Sequence, residues 1–326
     1  YMRKRSMKRN KWLTPILAGL TAVLLLSGCE NEKEKNMEAY RQYGINCMEQ
    51  EDYDGALKAF QKALDQSNGK IGKKELDICY YKAEAQYRSG DSDAALGTYN
   101  SIISYDKNAA DAYYLRGNLY YALGDGEKAA EDYQKAVSAD KDNYELYIGI
   151  YESLAANGQE SDGETYLNDA LKIKGDKEND NLQKGRIYLL LNDYDHAKTC
   201  LQKALDAGNT EANFYLSQVS EATGDSDAAD SYVQAYLDSG NVDSEDMYEI
   251  GKQQMDKGDY DHAVTYFEAG LAMDEVPNKQ ALMKKCIAAY EYKNDFESAK
   301  KMMADYVEAY PDDQEAAREY VFLQTR

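Results

Sequence analysis

Between residues 37 and 311 the apolar positions carry two superimposed periods. Over short stretches they fall three and four residues apart, which lines one face of an α-helix. Over a longer range one phrase returns, beginning with Asp52-Tyr53-Asp54-Gly55-Ala56. It recurs from Asp91 to Ala95, Asp125 to Ala129, Asp193 to Ala197, Asp225 to Ala229, Asp259 to Ala263 and Asp295 to Ala299, with a degenerate copy from Gln159 to Gly163. The closing small residues are 39, 34, 34, 34, 32, 34 and 36 residues apart. A period near 34 with helical spacing inside it predicts helix–turn–helix units that bury their apolar faces by stacking.

With that small residue numbered repeat position 20, further columns align. Position 8 reads Gly44, Ala83, Gly117, Tyr151, Gly185, Ser217, Gly251 and Ile287, and position 24 reads Phe60, Tyr99, Tyr133, Leu167, Leu201, Val233, Phe267 and Met303. Position 28 is apolar throughout, from Leu64 to Val307. Small side chains at 8 and 20 let two helices approach closely, while large ones at 24 and 28 fill the space between neighbouring hairpins. Repeat four pairs bulky Tyr151 with Gly163, which predicts that the ring lies over the glycine. Gly90, Gly124, Gly224 and Gly258 each precede an Asp, so the first helix gets a stop and the second a cap. The stretch Ser67 to Lys74, with Asn68, Gly69 and Gly72, is predicted to be a loop that loosens repeat one from the rest.

These columns resemble the tetratricopeptide repeat family over residues 37–311. The resemblance implies an all-α fold, a right-handed α-α superhelix or solenoid of about eight hairpins. Residues 312–326, with Ala316, Ala317, Tyr320 and Leu323 at helical spacing, read as a capping helix. The family's proline near the repeat end survives only as Pro311.

The segment before the repeats has a different grammar. Met2 to Lys11 is basic, Trp12 to Gly28 is uncharged, and the run closes as Leu26-Ser27-Gly28-Cys29 ahead of the polar stretch Glu30 to Asn36. Seventeen uncharged residues broken by Pro15 and Gly19 are short for a membrane span, so the order reads as a signal peptide. Tyr1 is no start residue; Met2 and Met7 both fit as one. The end of the segment resembles the lipobox of bacterial lipoproteins. That resemblance implies a signal peptide at 1–28, a palmitate-type diacylglyceryl anchor on Cys29, a short polar linker at 29–36, and a lipid-anchored, extracytoplasmic place in the bacterial cell envelope. Two acyl chains suffice for stable anchoring.

Composition narrows the partners. The formal charge is −21, and without the first 28 residues 32 basic side chains face 59 acidic ones, a net −27. Such a surface repels phosphate backbones, so nucleic acid is not an expected partner. Cys47, Cys79, Cys200 and Cys286 stand at apolar positions of separate repeats with no metal-knuckle spacing, and read as small buried hydrophobes. His196 and His262 share repeat position 19 two repeats apart, which suits turn-adjacent structural residues rather than a metal or catalytic centre. No phosphate loop or nucleophile elbow appears, so neither enzyme activity nor a cofactor or metal is expected.

In the resembled fold the first helices line a concave groove, chiefly through positions 2, 5, 9 and 12. Position 5 supplies Tyr80, Tyr114, Phe214 and Tyr248, and position 12 supplies Tyr87 and Tyr121. Position 2 is acidic in six repeats: Glu38, Asp77, Asp111, Glu145, Glu211 and Glu245. An aromatic floor with an acidic border suits a protein or peptide with apolar anchors and basic flanks. The reading is therefore a membrane-anchored scaffold or adaptor on the outer side of the bacterial cytoplasmic membrane. The alternative is a glycan- or cell-wall-binding lipoprotein that stacks sugars on the same tyrosines. With 31 tyrosines in the chain, filling gaps between repeats is a competing role for any one of them.

Overall fold

The structure, a computed structural model, describes residues 29–326 except 68, 70, 175–179, 241, 275, 312 and 326. It is all-α, with 17 helices and no strand among the described residues. Consecutive helices pack as antiparallel pairs, and the pairs fall into two compact units. The first unit holds α1 (Cys29–Glu49) with α2 (Tyr53–Asp65), α3 (Lys73–Arg88) with α4 (Ser92–Tyr105), α5 (Ala110–Ala122) with α6 (Gly126–Ala139), and α7 (Tyr144–Ala156) with α8 (Glu160–Ala170). The second holds α9 (Asp180–Leu190) with α10 (Tyr194–Asp206), α11 (Ala212–Ala222) with α12 (Ser226–Asp238), α13 (Ser244–Lys257) with α14 (Tyr260–Leu271), and α15 (Lys279–Tyr292) with α16 (Phe296–Ala309). It ends in α17 (Gln314–Leu323), which packs on α16 through the buried Ala316 and Leu323.

Each hairpin is punctuated by local chemistry. Asp52, Asp91, Asp125, Asp193, Asp225, Asp259 and Asp295 all cap the second helix of their pair by accepting a hydrogen bond from an amide in its first turn. Gln159, in the degenerate copy, makes no such bond. The residue before every cap is left-handed. It is Gly at 90, 124, 158, 224 and 258, Asn at 192 and 294, and Glu51, with φ of 60°, in the first hairpin. Glycine adopts this conformation freely and asparagine tolerates it, whereas Glu51 holds it at a steric cost.

Positions 8, 20 and 24 are buried in all eight hairpins. The fit is tight where position 8 is glycine: a Cβ at Gly251 would lie 2.5 Å from the Phe267 ring, and one at Gly117 2.8 Å from the Tyr133 ring. In repeat four Tyr151 is buried over Gly163, as its bulk requires, with a Cβ there only 3.0 Å from the ring. Position 28 is mostly half-buried; the uniformly buried neighbour is position 27, which reads Ala63, Ile102, Ala136, Ala170, Ala204, Tyr236, Gly270 and Tyr306.

Two expectations need correction. The stretch 29–36 is helical, forming the first turns of α1 rather than a linker, as a Glu/Lys-rich run without Gly or Pro can. The loop after α2 does not loosen repeat one. Phe60 of α2 packs with Ile78 and Ala85 of α3 in one core, and Tyr105 Oη donates to the Ile71 carbonyl at 2.9 Å. The division of the array falls after α8 instead.

Candidate functional site

Tyr80, Tyr87, Tyr114 and Tyr121 lie in the first unit, on α3 and α5, and all four are half-buried. Tyr80 and Tyr87 pack against the core formed by Ala83, Tyr99, Ile102 and Leu119. The Tyr80 hydroxyl meets the Ala112 amide of α5, and burial, followed by the charges of Asp111 and Asp106, pushes its titration upward. One repeat later Tyr114 Oη donates to the Gly149 carbonyl of α7 at 3.2 Å. The hydroxyls of the two position-5 tyrosines thus both reach the next hairpin's first helix, Tyr80 towards an amide and Tyr114 as donor to a carbonyl. Tyr114 and Tyr121 both approach Tyr133, whose hydroxyl donates to Asn118 Oδ1 at 2.8 Å.

Phe214 and Tyr248 belong to the second unit. Phe214 is not an open anchor: it is buried in a core with Val233, Tyr236 and Ile250, its ring 5.7 Å from that of Tyr236. Tyr248 is half-buried, with its ring centre 6.2 Å from that of Phe267. The six aromatic candidates therefore divide between two units and among different degrees of burial.

The acidic border is partly neutralised from within. Arg41, at position 5 of repeat one, donates to Asp77 at 2.5 Å and to Glu38 at 3.2 Å, and lies over the Tyr81 ring. Asp106 and Asp111 are exposed beside Tyr80, so the surface next to this tyrosine is anionic.

A further arrangement escaped the sequence reading. Arg116 donates from Nε and Nη2 to the two carboxylate oxygens of Asp132 at 2.6 and 2.8 Å, with Asp132 only 2% exposed. The guanidinium lies within 6 Å of the Tyr113 and Tyr120 ring centres. Residues 116 and 132 are 16 apart, the separation that joins positions 8 and 24 across each hairpin. That spacing was the available signal.

His196 and His262 are exposed, and the Nδ1 of each meets the carboxylate of the capping Asp193 or Asp259, at 2.7 and 2.6 Å. This is the turn-adjacent structural role expected of them. Cys47 and Cys286 are buried, Cys79 and Cys200 half-buried, and all four are free. Among the described residues no group of three or more His, Cys, Asp or Glu could hold a metal ion. No described helix is long and apolar enough to cross a membrane. The expected signal peptide at 1–28 and the side chain of Cys29 lie outside the described residues.

The helical pairs and their packing define an array of helix–turn–helix repeats. Specifically, tetratricopeptide repeats are recognised: family models described as tetratricopeptide repeat match residues 80–144, and residues 181–207 and 247–277. Repeats of this family typically serve as non-enzymatic scaffolds that bind other proteins. Among solved structures the chain is similar to a tetratricopeptide repeat protein from Parabacteroides merdae, at 14% identity over 78% of this chain and 99% of that one, with a TM-score of 0.46. It is also similar to a chain of the APC/C hetero-tetramer Cut9–Hcn1, at 15% identity over 83% and 52% with a TM-score of 0.41. A third similarity is to PilW, a widely conserved type IV pilus biogenesis factor, at 19% identity over 65% and 100% with a TM-score of 0.38. A comparison with curated protein sequences finds no match.

Proposed function

We propose that this chain is a non-catalytic scaffold, tethered through Cys29 to the outer side of a bacterial cytoplasmic membrane, that holds protein or peptide partners on the first-helix face of its first unit. The observation that carries this reading is the repetition of half-buried tyrosines at positions 5 and 12 of adjacent repeats, Tyr80 and Tyr87 on α3 and Tyr114 and Tyr121 on α5. Half-exposed tyrosines offer large contact area with few rotatable bonds, which suits recognition of another protein. The neighbouring exposed Asp106 and Asp111 favour a partner whose apolar anchors are flanked by basic residues. The tether rests on the order of basic, apolar and small residues ahead of Cys29.

Crosslinking capture from membranes tests both parts. The wild-type chain is expected to sediment with membranes and to enrich a defined partner. Cys29→Ala is expected to release it from the membrane fraction, and Tyr87→Ala with Tyr121→Ala to lose the partner while far-UV circular dichroism is unchanged. Membrane retention of Cys29→Ala would defeat the tether, and undiminished capture by the folded tyrosine variant would defeat the docking face.

A further inference from the structure

Repeat position 30 lies at or just past the end of each second helix, beside the linker that leads into the same hairpin. In the second to fourth hairpins it reads Tyr105, Ala139 and Ile173. Tyr105 spans the gap to its linker, its hydroxyl donating to the carbonyl of Ile71, ahead of α3, at 2.9 Å. In the fourth hairpin Ile173 and Tyr147 are both buried, and the Tyr147 hydroxyl of α7 donates to the Lys141 carbonyl of its linker at 3.2 Å.

The third hairpin has neither closure. An alanine cannot span the gap, and Tyr113 of α5, the counterpart of Tyr147, makes no hydrogen bond through its hydroxyl among the described residues. An open cleft of about 520 Å³ lies there, between Lys107 and Asn108 of the linker, Tyr113, and Gln134, Lys135 and Ala139 of α6. That volume falls within the range of about 300–1,000 Å³ typical of sites that hold a small group. It leaves room for a ring and for the backbone that carries it.

The chemistry of the lining narrows the occupant. The Tyr113 ring, the Ala139 methyl and the hydrocarbon stems of the two lysines give the cleft an apolar body. The α6 wall is held in place, because the Gln134 side-chain amide donates to the Tyr166 hydroxyl at 3.1 Å. The lining charges are two ammonium groups and one carboxylate, Glu131. Lys135 lies 3.5 Å from Glu131 and 3.7 Å from Asp132, a carboxylate whose two oxygens Arg116 already engages. Lys107 is exposed and makes no ion pair among the described residues. In a chain of net charge −21 this cleft therefore holds an uncommitted cation beside an apolar slot.

We propose that this cleft is a second docking site, which takes an aromatic side chain of a partner protein together with a carboxylate next to it. The ring enters the place that Tyr105 fills in the preceding hairpin, and the carboxylate meets Lys107 at the rim. A ring seated in a pocket supplies the anchor, and the exposed ion pair sets the preference in charge. The partner is opposite in sign to the one proposed for the tyrosine face of α3 and α5, and the cleft stands independently of that reading.

Titration of the full chain with the blocked peptide acetyl-Gly-Tyr-Asp-Asp-Gly-amide, followed by two-dimensional NMR of the backbone amides, tests this. Saturable shifts are expected at residues 107–113 and 131–139, and a peptide with lysines in place of the aspartates should bind about tenfold more weakly. Ala139→Tyr installs the ring that the preceding hairpin carries at this position, and should weaken the acidic peptide by about tenfold or more. Lys107→Glu, on an exposed linker, should weaken it by about fivefold. Absence of shifts at the cleft, equal binding of the lysine peptide, or affinity that survives either substitution would overturn the proposal. If Ala139→Tyr does not fold, unchanged affinity in Lys107→Glu overturns it alone. The readout is confined to cleft residues and to an acidic peptide, so its failure is distinct from failure of the α3 and α5 face.

Discussion

Gly117→Ala puts the packing argument to its sharpest test. The residue lies inside α5, where alanine is intrinsically better than glycine by about 1 kcal/mol. A Cβ at this site would sit 2.8 and 2.9 Å from two carbons of the Tyr133 ring and 3.3 Å from the Ala129 carbonyl oxygen, where carbon atoms need roughly 3.5 Å or more. The ring has no easy escape: it is 1% exposed, and its hydroxyl is held by Asn118 at 2.8 Å and lies 3.1 Å from Ser153 Oγ. Overpacking of a closed site costs about 1–3 kcal/mol, and the upper end applies here. The net expectation is a loss of about 2 kcal/mol. Gly97→Ala, inside α4 with nothing within 4 Å of the new methyl, supplies the control and should gain about 1 kcal/mol. Urea unfolding followed by circular dichroism should move the first unit's midpoint down by about 1 M for Gly117→Ala. Adding Tyr133→Leu should shrink the alanine's cost, because the clash partner is gone. If Gly117→Ala is as stable as Gly97→Ala, the close crossing of α5 and α6 is not what requires glycine.

Three further outcomes follow from other sites. Glu51→Gly removes the left-handed strain at the first hairpin turn and should stabilise the first unit by about 0.5–1 kcal/mol, seen as a higher urea midpoint. Arg116→Ala strands the Asp132 carboxylate, leaving it only Lys135 at 3.7 Å, and should cost about 3 kcal/mol, whereas Arg116→Met with Asp132→Leu should recover much of that loss. Burial works against the Asp313 charge, but Lys284, the Ala316 amide and the Tyr306 hydroxyl outweigh it and bring its titration to about 2. A lowered carboxylate contributes stability above its unfolded value, so the α16–α17 contact should weaken as pH falls from about 4 towards 2, and Asp313→Asn should flatten that part of a pH–stability curve.

The repeat was legible because its physical demands are local and recur. A small residue at position 20, a large one at 24 and an Asp at the turn each reflect one contact made in nearly every hairpin. The exchange of Tyr151 against Gly163 could be read from volume alone. Apart from the Arg116–Asp132 pair inside the third hairpin, what stayed hidden needed a partner from another repeat. Position 27 varies from Gly to Tyr, so no column stands out, although every member is buried. Phe214 has the residue type of a docking anchor and the position of one, yet Tyr236 and Ile250 close over it. The acidic column at position 2 read as a border of the groove, and nothing in it shows that Arg41, itself in the groove column, folds back onto Glu38 and Asp77. The break after α8 leaves no mark in the repeat spacing, which is 34 on either side of Gly163.

At the position-5 tyrosines the proposed binding role and packing would be linked. A hydroxyl that meets the next first helix, as Tyr80 does at Ala112 and Tyr114 at Gly149, fixes the angle between neighbouring hairpins, and under the proposed docking role its ring would also face a partner. Alanine at either site removes both contributions at once, so a loss of capture would not distinguish them. Phenylalanine separates them, because it keeps the apolar face and deletes only the bond. If the rings recognise partners directly, Tyr114→Phe should retain capture with at most about 1 kcal/mol less stability in the first unit. If the hydroxyl's role in setting the repeat angle is what matters, the same variant should lose capture although every aromatic ring remains. Tyr87 and Tyr121 then supply the direct test, since position 12 offers rings on the same two helices about two turns further along.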